Sequence, residues 1–583
     1  MVMLLKRTHF CGHLDLSCEG REVTVNGWIR KMRDFGKFVF VDLWDHTGLA
    51  QMVFSLEDQA LAGVRQCIVG DSIGVTGKVV ERKDKNPNLP TGEIEVIAGA
   101  WERYSASEPY PVSENPSEET RLKYRYLDLR TEKMQKNLRF RHRVIKEIRD
   151  HLSEKGFIEV ETPILSKSTP EGARDYLVPS RLQPGFFYAL PQSPQIYKQL
   201  LMIGGVDRYF QISRCFRDED LRANRQPEFT QLDVEMAYAD EEDIFSMTEA
   251  LFRDVVRKAA GREIPSSFPR MTYQEAMSRY GSDKPDTRFD LLISDLTGQC
   301  RPEGFSLLEE AMGRGEQVKG LAIRSREPSR KEIDAMTALA KDRGAGGLMW
   351  FKMKDGMIQS PVAKFLTDGG RSITRALDLR EGDTAFVVAA PHSIASKALG
   401  AVRLYLRDLY GLVEKNQELH FLWVTDFPMF FYNEDEKRYE TEHHPFTMPD
   451  PDDMERYLDK DPEKIRSRSY DLVLNGEEIA SGSVRNHIRP LQEQVFRKIG
   501  LSSEELQKRF SFFLKALQYG TPPHAGIAPG LDRFIQILLG EESIRDVIAF
   551  PKTTNAACLM TESPSEVSQI QLDELRIQVN NKN

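Results

Sequence analysis

The chain has 583 residues, a length that corresponds to about four domains of ordinary size. Apolar residues make up 40% of the chain and charged residues 29%, which excludes collagen-like, coiled-coil and wholly disordered proteins. Lys and Arg number 80 against 89 acidic residues, so the net charge is −9. Any surface that binds nucleic acid must therefore be a local patch rather than the whole protein.

Cysteine usage and hydropathy point to the compartment. The six cysteines are scattered without a C-x-x-C pair, which argues against a disulfide framework and against a zinc site. The first residues lack the apolar run of a signal peptide, and no stretch reaches the ~18 apolar residues of a spanning helix. We expect a soluble cytoplasmic protein that does not associate with membranes.

Residues 1–104 consist of β-rich runs separated by turns, with one helical stretch at 57–68. Three strands, a helix and two further strands is the order of an OB-fold, a small barrel that often binds oligonucleotides. Any other five-stranded barrel would show the same order, so both interpretations stay open here. The runs are 21–30, 37–44, 48–54, 71–82 and 93–101.

The rest of the chain changes character several times. Residues 105–120 are rich in Ser, Pro and Glu, as linkers are. The helical segment 121–149 carries eleven Lys and Arg against three acids; such runs are usually solvated faces, but beside a barrel this one also suits a polyanion partner. Helices then alternate with short strands, and 287–418 has the pattern of an inserted α/β domain.

Three stretches carry chemistry. Gly156–Leu165 is a strand that leads into Thr162-Pro163 and is weak evidence alone. In Phe216–Asp233, Arg217 can grip a phosphate with its planar fork, Glu219 lies on the same strand face, and Phe229 can stack on a purine. In Gly526–Leu538, glycines precede a helix with Arg533 in its first turn, and a helix N-terminus favours anions.

Simpler interpretations exist for some of these residues. Phe229 and Phe40 could be core residues, Asp471 could cap a turn, and His443-His444 could be a structural pair. Arginines embedded in apolar sequence are harder to explain in this way, because a buried guanidinium needs an anionic partner.

The three stretches, in this order, resemble the signature motifs of class II aminoacyl-tRNA synthetases. Further segments resemble the bacterial type of the aspartyl-tRNA synthetases, and the resemblance covers essentially the whole chain. These segments are QSPQIYK (192–198), FRDED (216–220), HHPFT (443–447), GSVRNH (482–487) and DVIAFPKTTNAACLMTESPS (546–565).

The resemblance implies an α+β multidomain fold: an N-terminal OB-fold barrel and an antiparallel-sheet catalytic domain that carries an inserted α/β domain. It also implies a homodimer whose interface includes the first motif. The implied domains are an anticodon-binding barrel at 1–104, a hinge at 105–130, the first part of the catalytic domain at 131–286, the insertion at 287–418, and the second part with a C-terminal extension at 419–583.

For ATP, the resemblance implies that Arg217, Arg533 and Glu478 act in catalysis, while Asp471 and Glu478 bind Mg²⁺. Two carboxylates together with phosphate oxygens suit magnesium. The implied ATP-binding residues are Arg217, Asp218, Glu219, Gln226, Phe229, Glu478, Gly530, Leu531, Asp532 and Arg533.

For aspartate, the resemblance implies that Lys198 and Arg485 form a cationic pocket for the side-chain carboxylate, where the Arg485 fork would bind it in bidentate fashion. The full implied set is Glu171, Gln195, Ile196, Tyr197, Lys198, Arg217, Asp233, His443, His444 and Arg485; which of the two histidines contacts the substrate stays open. In the barrel, Arg33, Phe35, Phe40 and Gln51 match positions that read the tRNA anticodon.

The predicted activity is that of a ligase that forms aspartyl-adenylate from L-aspartate and ATP and transfers the aspartyl group to tRNA-Asp, with tRNA-Asn as an open second substrate. Asparaginyl or lysyl members share the architecture, but two pocket cations suit an anionic side chain best. A catalytically inactive RNA-binding paralogue would not need every nucleotide-binding residue, and an ammonia-dependent asparagine synthetase lacks the barrel.

Overall fold

The computed structural model describes residues 4–111, 115–169, 172–221, 224–300, 303–414 and 418–580. The chain divides into two compact units, Met1–Gln135 and Lys136–Asn583. The described strands are β1 (Glu22–Asp34), β2 (Phe38–Asp45), β3 (Gly48–Ser55), β4 (Ser72–Glu81), β5 (Ile94–Ser105), β6 (Ile158–Glu159), β7 (Leu177–Pro179), β8 (Phe187–Ala189), β9 (Arg208–Phe216), β10 (Glu228–Ala237), β11 (Arg270–Thr272), β12 (Ser294–Asp295), β13 (Gln317–Ile323), β14 (Met349–Lys354), β15 (Met357–Gln359), β16 (Thr384–Ala390), β17 (Phe421–Thr425), β18 (Phe430–Asn433), β19 (Arg438–Thr441), β20 (Ser469–Leu474), β21 (Glu477–Val484) and β22 (His524–Pro529).

Helices lie between some of these strands. The described α-helices are α1 (Glu118–Lys123), α2 (Arg125–Asp128), α3 (Glu132–Glu154), α4 (Gln195–Ile203), α5 (Glu241–Val255), α6 (Tyr273–Tyr280), α7 (Ser306–Gly313), α8 (Arg330–Asp342), α9 (Arg371–Ala376), α10 (His392–Tyr410), α11 (Pro451–Tyr457), α12 (Arg489–Lys498), α13 (Ser503–Ala516), α14 (Leu531–Leu539) and α15 (Gln569–Leu575).

The first unit is built around a closed barrel with the strand order β1-β2-β3-β5-β4. Alternate residues of β2, namely Val39, Val41 and Leu43, are buried inside it, as the period of two in a strand requires. The predicted helix at 57–68 is wrong in type and length, since a 3₁₀ helix covers Ala62–Gln66. The Asp58 side chain accepts the Ala60 N–H and stabilises a turn in place of the first helical turn.

The second unit contains an eight-stranded sheet in the order β11-β17-β20-β21-β22-β10-β9-β6. The neighbours from β17 to β9 pair antiparallel, while the short edge strands β11 and β6 pair in parallel. Helices α3, α5 and α14 contribute their buried apolar side chains to the same hydrophobic core as the sheet. This sheet provides a rigid platform for the polar residues described below.

A separate antiparallel sheet, in the order β12-β13-β16-β14-β15, lies within the predicted insertion. Helices α8 and α10 pack on one face and α7 and α9 on the other, so alternate residues of β13 and β16 enter two different cores. Arg403 of α10 is 1% exposed and donates hydrogen bonds to the main-chain carbonyls of Asp286, Phe289 and Leu291. This arginine therefore fixes α10 to the segment that enters the insertion.

Candidate active site and nucleic-acid surface

A cavity of about 410 Å³ opens onto the eight-stranded sheet, a volume typical of sites for small molecules. It is lined from the β9–β10 hairpin, β20, β21, α4 and α14. The predicted residues that line it are Gln195, Lys198, Arg217, Glu219, Gln226, Phe229, Asp233, His443, His444, Asp471, Glu478, Arg485, Gly530, Asp532 and Arg533.

Arg217 follows the last residue of β9, and its main-chain N–H donates to the Pro227 carbonyl, two residues before Phe229 of β10. The guanidinium carbon lies 5.1 Å from the centroid of the Phe229 ring, a cation–π contact that holds both side chains in place. The Arg217 Nε is buried and has no hydrogen-bond partner among the described residues. A buried donor of this kind requires an acceptor, which an anion in the cavity would supply.

Gln226 ties the hairpin to the C-terminal segment. Its Oε1 accepts from the main-chain N–H of Lys552 at 2.7 Å, and its Nε2 donates to the Lys552 carbonyl at 3.0 Å. Glu219 pairs with Arg225 at 3.2 Å at the cavity mouth. Asp218 does not line the cavity, and its Oδ2 lies 3.9 Å from Nε of the exposed Arg174.

The third motif places Arg533 in the lining of the same cavity. Its Nη1 donates to the main-chain carbonyl of Glu478, and its buried Nε has no partner in the described part of the chain. Leu531 is fully buried in the core, and Asp532 accepts the Thr230 N–H at 2.8 Å. Arg217 and Arg533 thus both line one cavity and each keeps a buried N–H without a partner among the described residues, and two such guanidinium groups suit a polyphosphate.

Asp471 on β20 and Glu478 on β21 are the carboxylates predicted to hold a metal ion. Burial and repulsion by Asp471 raise the pKa of Glu478 above its usual value. No group of three or more His, Cys, Asp or Glu arranged for a metal ion occurs within the described ranges. Two mutually repelling carboxylates fit Mg²⁺, which keeps its remaining positions for water and phosphate oxygens.

The two neighbouring histidines have different partners. The Nε2 of His443 lies 3.0 Å from Oδ1 of Asp471 and its Nδ1 lies 3.2 Å from Ser469 Oγ. Burial alone would lower the pKa of His443, but the Asp471 carboxylate raises it above its usual value. His443 therefore belongs to the carboxylate end of the cavity.

His444 contacts Arg485 instead. Its Nε2 lies 2.7 Å from Nη1 of Arg485, and an arginine can only donate, so this nitrogen carries no proton. Burial and the charge of Arg485 hold the pKa of His444 well below its usual value. His444 is therefore neutral.

Lys198 and Arg485 do lie together, but each already has a carboxylate partner. Lys198 Nζ lies 3.0 Å from Asp233 and 3.5 Å from Glu235. The Nε and Nη2 of Arg485 donate to the two oxygens of Glu235 at 2.8 and 3.2 Å. All four side chains are 2% exposed or less, so they form one buried network of two cations and two anions.

This arrangement changes the expected role of the Arg485 fork, because the fork binds Glu235. Nη1 also donates to His444 and to Ser483 Oγ. These four hydrogen bonds leave one of the five N–H groups of Arg485 without a partner among the described residues. Glu235 is the principal residue that sequence reasoning missed. The available signal was Asp233 and Glu235 two apart in a strand, which places both carboxylates on one face.

The four consecutive predicted residues that begin α4, Gln195 to Lys198, line two different cavities. Gln195 lines the main cavity, whereas Ile196 and Tyr197 line a second, smaller cavity of about 30 Å³. Tyr197 Oη lies 3.0 Å from Ser166 Oγ there. Glu171, also predicted to contact aspartate, lies outside the described residues.

The predicted anticodon residues form one connected surface on the barrel. Arg33 Nη2 donates to Asp42 at 2.7 Å and to Gln51 Oε1 at 3.1 Å, and Gln51 Nε2 donates to Glu95 at 2.8 Å. The rings of Phe35 and Phe40 meet edge to face at 5.6 Å, and Phe35 is 70% exposed. An exposed Phe35 ring and a half-buried Phe40 ring beside hydrogen-bonding side chains suit unpaired bases.

No helix within the described ranges is both long enough and apolar enough to cross a membrane.

The chain belongs to the family described as tRNA synthetases class II (D, K and N), which matches residues 117–554. Residues 23–103 match the family described as OB-fold nucleic acid binding domain, so this interpretation of the barrel is confirmed. Together with the large antiparallel sheet, these matches confirm the predicted fold class.

Within the family, the relatives are aspartate ligases. The chain is 48% identical over 586 residues to the aspartate–tRNA ligase of Geobacillus kaustophilus, covering 99% of each protein. It is 47% identical over 585 residues to the aspartate–tRNA(Asp/Asn) ligase of Caldanaerobacter subterraneus subsp. tengcongensis, covering 99% of this chain and 98% of the relative. The predicted resemblance to aspartyl-tRNA synthetases is confirmed.

Solved structures share the fold. The crystal structure of asparaginyl-tRNA synthetase from Pyrococcus horikoshii complexed with asparaginyl-adenylate aligns with a TM-score of 0.60 at 19% identity, covering 94% of this chain and 99% of that one. The aspartyl tRNA synthetase from Entamoeba histolytica gives 0.56 at 19% identity, covering 94% and 91%.

Proposed function

We propose that the protein is an aspartate–tRNA ligase that forms aspartyl-adenylate in the cavity on the eight-stranded sheet and transfers the aspartyl group to the 3′ end of tRNA-Asp. The observation that carries this proposal is one cavity lined both by Arg217 and Arg533, each with a partnerless buried N–H among the described residues, and by the buried Lys198–Arg485 pair. ATP and tRNA are substrates common to the family.

In the first step, an α-carboxylate oxygen of aspartate attacks the α-phosphorus of ATP, and the bond to pyrophosphate breaks with its electron pair leaving on pyrophosphate. Side chains need only position the reactants and neutralise charge. Arg217 and Arg533 would hold the phosphates, and Phe229 would stack on adenine. Asp471 and Glu478 would hold Mg²⁺, which when bound supplies further charge neutralisation on the phosphates.

Aspartate and asparagine have nearly the same shape, so the pocket must separate them by hydrogen bonding and charge. The side-chain carboxylate would accept from the remaining N–H of Arg485 and from Lys198. The amide of asparagine would turn an NH₂ group toward one of these cations and leave a buried donor unpaired. Asp233 beside Lys198 would attract the substrate ammonium.

In the second step, the terminal 3′-hydroxyl of tRNA attacks the aspartyl carbonyl carbon and AMP leaves. The barrel surface of Arg33, Phe35, Phe40 and Gln51 would read the anticodon. Relatives named aspartate–tRNA ligase and aspartate–tRNA(Asp/Asn) ligase match this chain over the same share of its length. Charging of tRNA-Asn therefore stays a prediction, which purified transcripts of both tRNAs assayed side by side would decide.

We also propose a homodimer. Ile158, Ile164 and Leu165 of the first motif are 56%, 42% and 53% exposed, and exposed apolar side chains of this kind are typical of an interface with a second copy. The domain limits given in the sequence analysis and the cytoplasmic location stay predictions.

The test of the activity is ATP–pyrophosphate exchange with aspartate, asparagine and lysine. We expect exchange with aspartate. The Arg217→Ala variant should lose roughly 3–5 kcal/mol of transition-state stabilisation, the scale for removing one partner of a desolvated ionic contact. Arg279→Ala, which removes an exposed arginine paired with Glu275, is the matched control and should keep normal exchange. Near-normal exchange in Arg217→Ala would contradict the assignment.

A further inference from the structure

A chain of hydrogen bonds runs from the cavity into the core of the catalytic unit. Gln195 Nε2 donates to Gln199 Oε1 at 3.2 Å, Gln199 Nε2 lies 3.2 Å from His524 Nε2, and His524 Nδ1 lies 2.8 Å from the Pro522 carbonyl oxygen. The three side chains are 4% exposed or less. Gln195 and Gln199 are one helical turn apart on α4, while His524 begins β22.

The direction of this chain follows from its buried end. A carbonyl oxygen only accepts, so His524 must carry a proton on Nδ1. Burial lowers the pKa of His524, which leaves the imidazole neutral and its Nε2 an acceptor. Gln199 must then donate its NH₂ to His524 and turn its oxygen toward Gln195, which donates in turn. The remaining polar atom of the Gln195 side chain, its amide oxygen, is thereby free to face the cavity.

We propose that Gln199 and His524 are positioning residues that hold the Gln195 amide with its oxygen toward the cavity, where it accepts a hydrogen bond from the ammonium group of aspartate. This inference rests on the proposed function. The reverse orientation would present an NH₂ group to the ammonium, so one wrong amide rotamer would convert an attraction into a repulsion. Two buried groups that never touch the substrate thus determine which hydrogen bonds the amino group can make.

The test compares aspartate with succinate, which keeps both carboxylates but lacks the amino group. Gln199→Met and His524→Phe each break the chain at a different point. We expect the aspartate KM in pyrophosphate exchange to rise about 10- to 100-fold, the scale of one hydrogen bond to a charged group. The inhibition constant of succinate and the KM for ATP should stay unchanged. The control is Met202→Leu, a substitution of a buried residue on the same helix that takes no part in these hydrogen bonds.

The outcomes separate two failures. If the wild-type protein shows no aspartate-dependent exchange, the proposed function itself is wrong. If it does, but aspartate and succinate weaken equally in both variants, the residues only support the pocket and the inference is overturned. If both variants fail to fold, ¹⁵N NMR of the wild-type protein labelled at histidine decides between the two orientations. A proton on Nδ1 of His524 supports the proposed hydrogen-bond direction. A proton on Nε2 reverses that direction and overturns the inference.

Discussion

Replacing Arg485 by leucine tests the aspartate pocket most directly. The guanidinium is 2% exposed and makes hydrogen bonds to Glu235, His444 and Ser483. Leucine fills part of the volume but removes every donor. Glu235 then keeps Lys198 alone, at 3.5 Å, as its cationic partner, and the substrate carboxylate loses one of its two donors.

The magnitude follows from the burial. Removing one partner of a buried ion pair costs about 3–5 kcal/mol, because the remaining charge stays desolvated. Each 1.4 kcal/mol is a factor of ten, so kcat/KM for aspartate should fall by roughly two to three and a half orders of magnitude. Asparagine loses less, because its neutral side chain gained less from the cation. The Asp/Asn ratio should therefore shrink.

The assay is pyrophosphate exchange with each amino acid, together with the KM for ATP, which should change little. Part of the loss could come from the orphaned Glu235 rather than from the substrate contact. The double variant Glu235→Gln/Arg485→Leu removes that buried charge and should recover thermal stability without recovering the Asp/Asn ratio. An unaltered ratio in Arg485→Leu would refute the proposed pocket.

Three further predictions concern stability, the barrel and the metal ion. The pKa values of His444 and His524 in the folded protein lie below the ordinary 6.5, so the unfolded chain binds more protons in acid. Thermal stability should therefore fall as the pH drops below about 6.5. The His444→Asn variant should show a weaker dependence of thermal stability on pH. Phe40→Ala should weaken tRNA binding by about 1–3 kcal/mol, the scale of one stacked base, and slow charging while pyrophosphate exchange is unchanged. Glu478→Gln should raise the Mg²⁺ concentration needed for half-maximal exchange, measured by titration; an unchanged requirement would contradict its role as a ligand.

Much of the architecture was predictable because local sequence patterns carry it. The β-rich runs in the sequence predicted the barrel strands to within a few residues, and the glycines before Leu531 predicted the start of α14. The stretch at 57–68 failed because a single side chain, that of Asp58, competes with the helix by capping a turn. Helix spacing alone contains no information about that competition.

The sequence predicted many of the residues that line the cavity, but it did not predict which partner each of them contacts. The resemblance to the family indicated Lys198 and Arg485, and the structure brings them into one network. It could not indicate that the Arg485 fork faces Glu235, since the partner of a buried fork depends on the register of strands far apart in the chain. It also could not separate His443 from His444, which are adjacent in sequence yet contact Asp471 and Arg485 respectively.

The pairing of charges explains how a cationic pocket can exist before its substrate arrives. Two unpaired buried cations would each carry a large desolvation penalty in the empty enzyme. Asp233 and Glu235 offset that penalty, so the network of four side chains is formally neutral. Selectivity for a carboxylate must then come from the donors that the network leaves unsatisfied, rather than from excess positive charge. We therefore expect such a pocket to exclude asparagine through its hydrogen-bond pattern and to need no bound substrate for its stability.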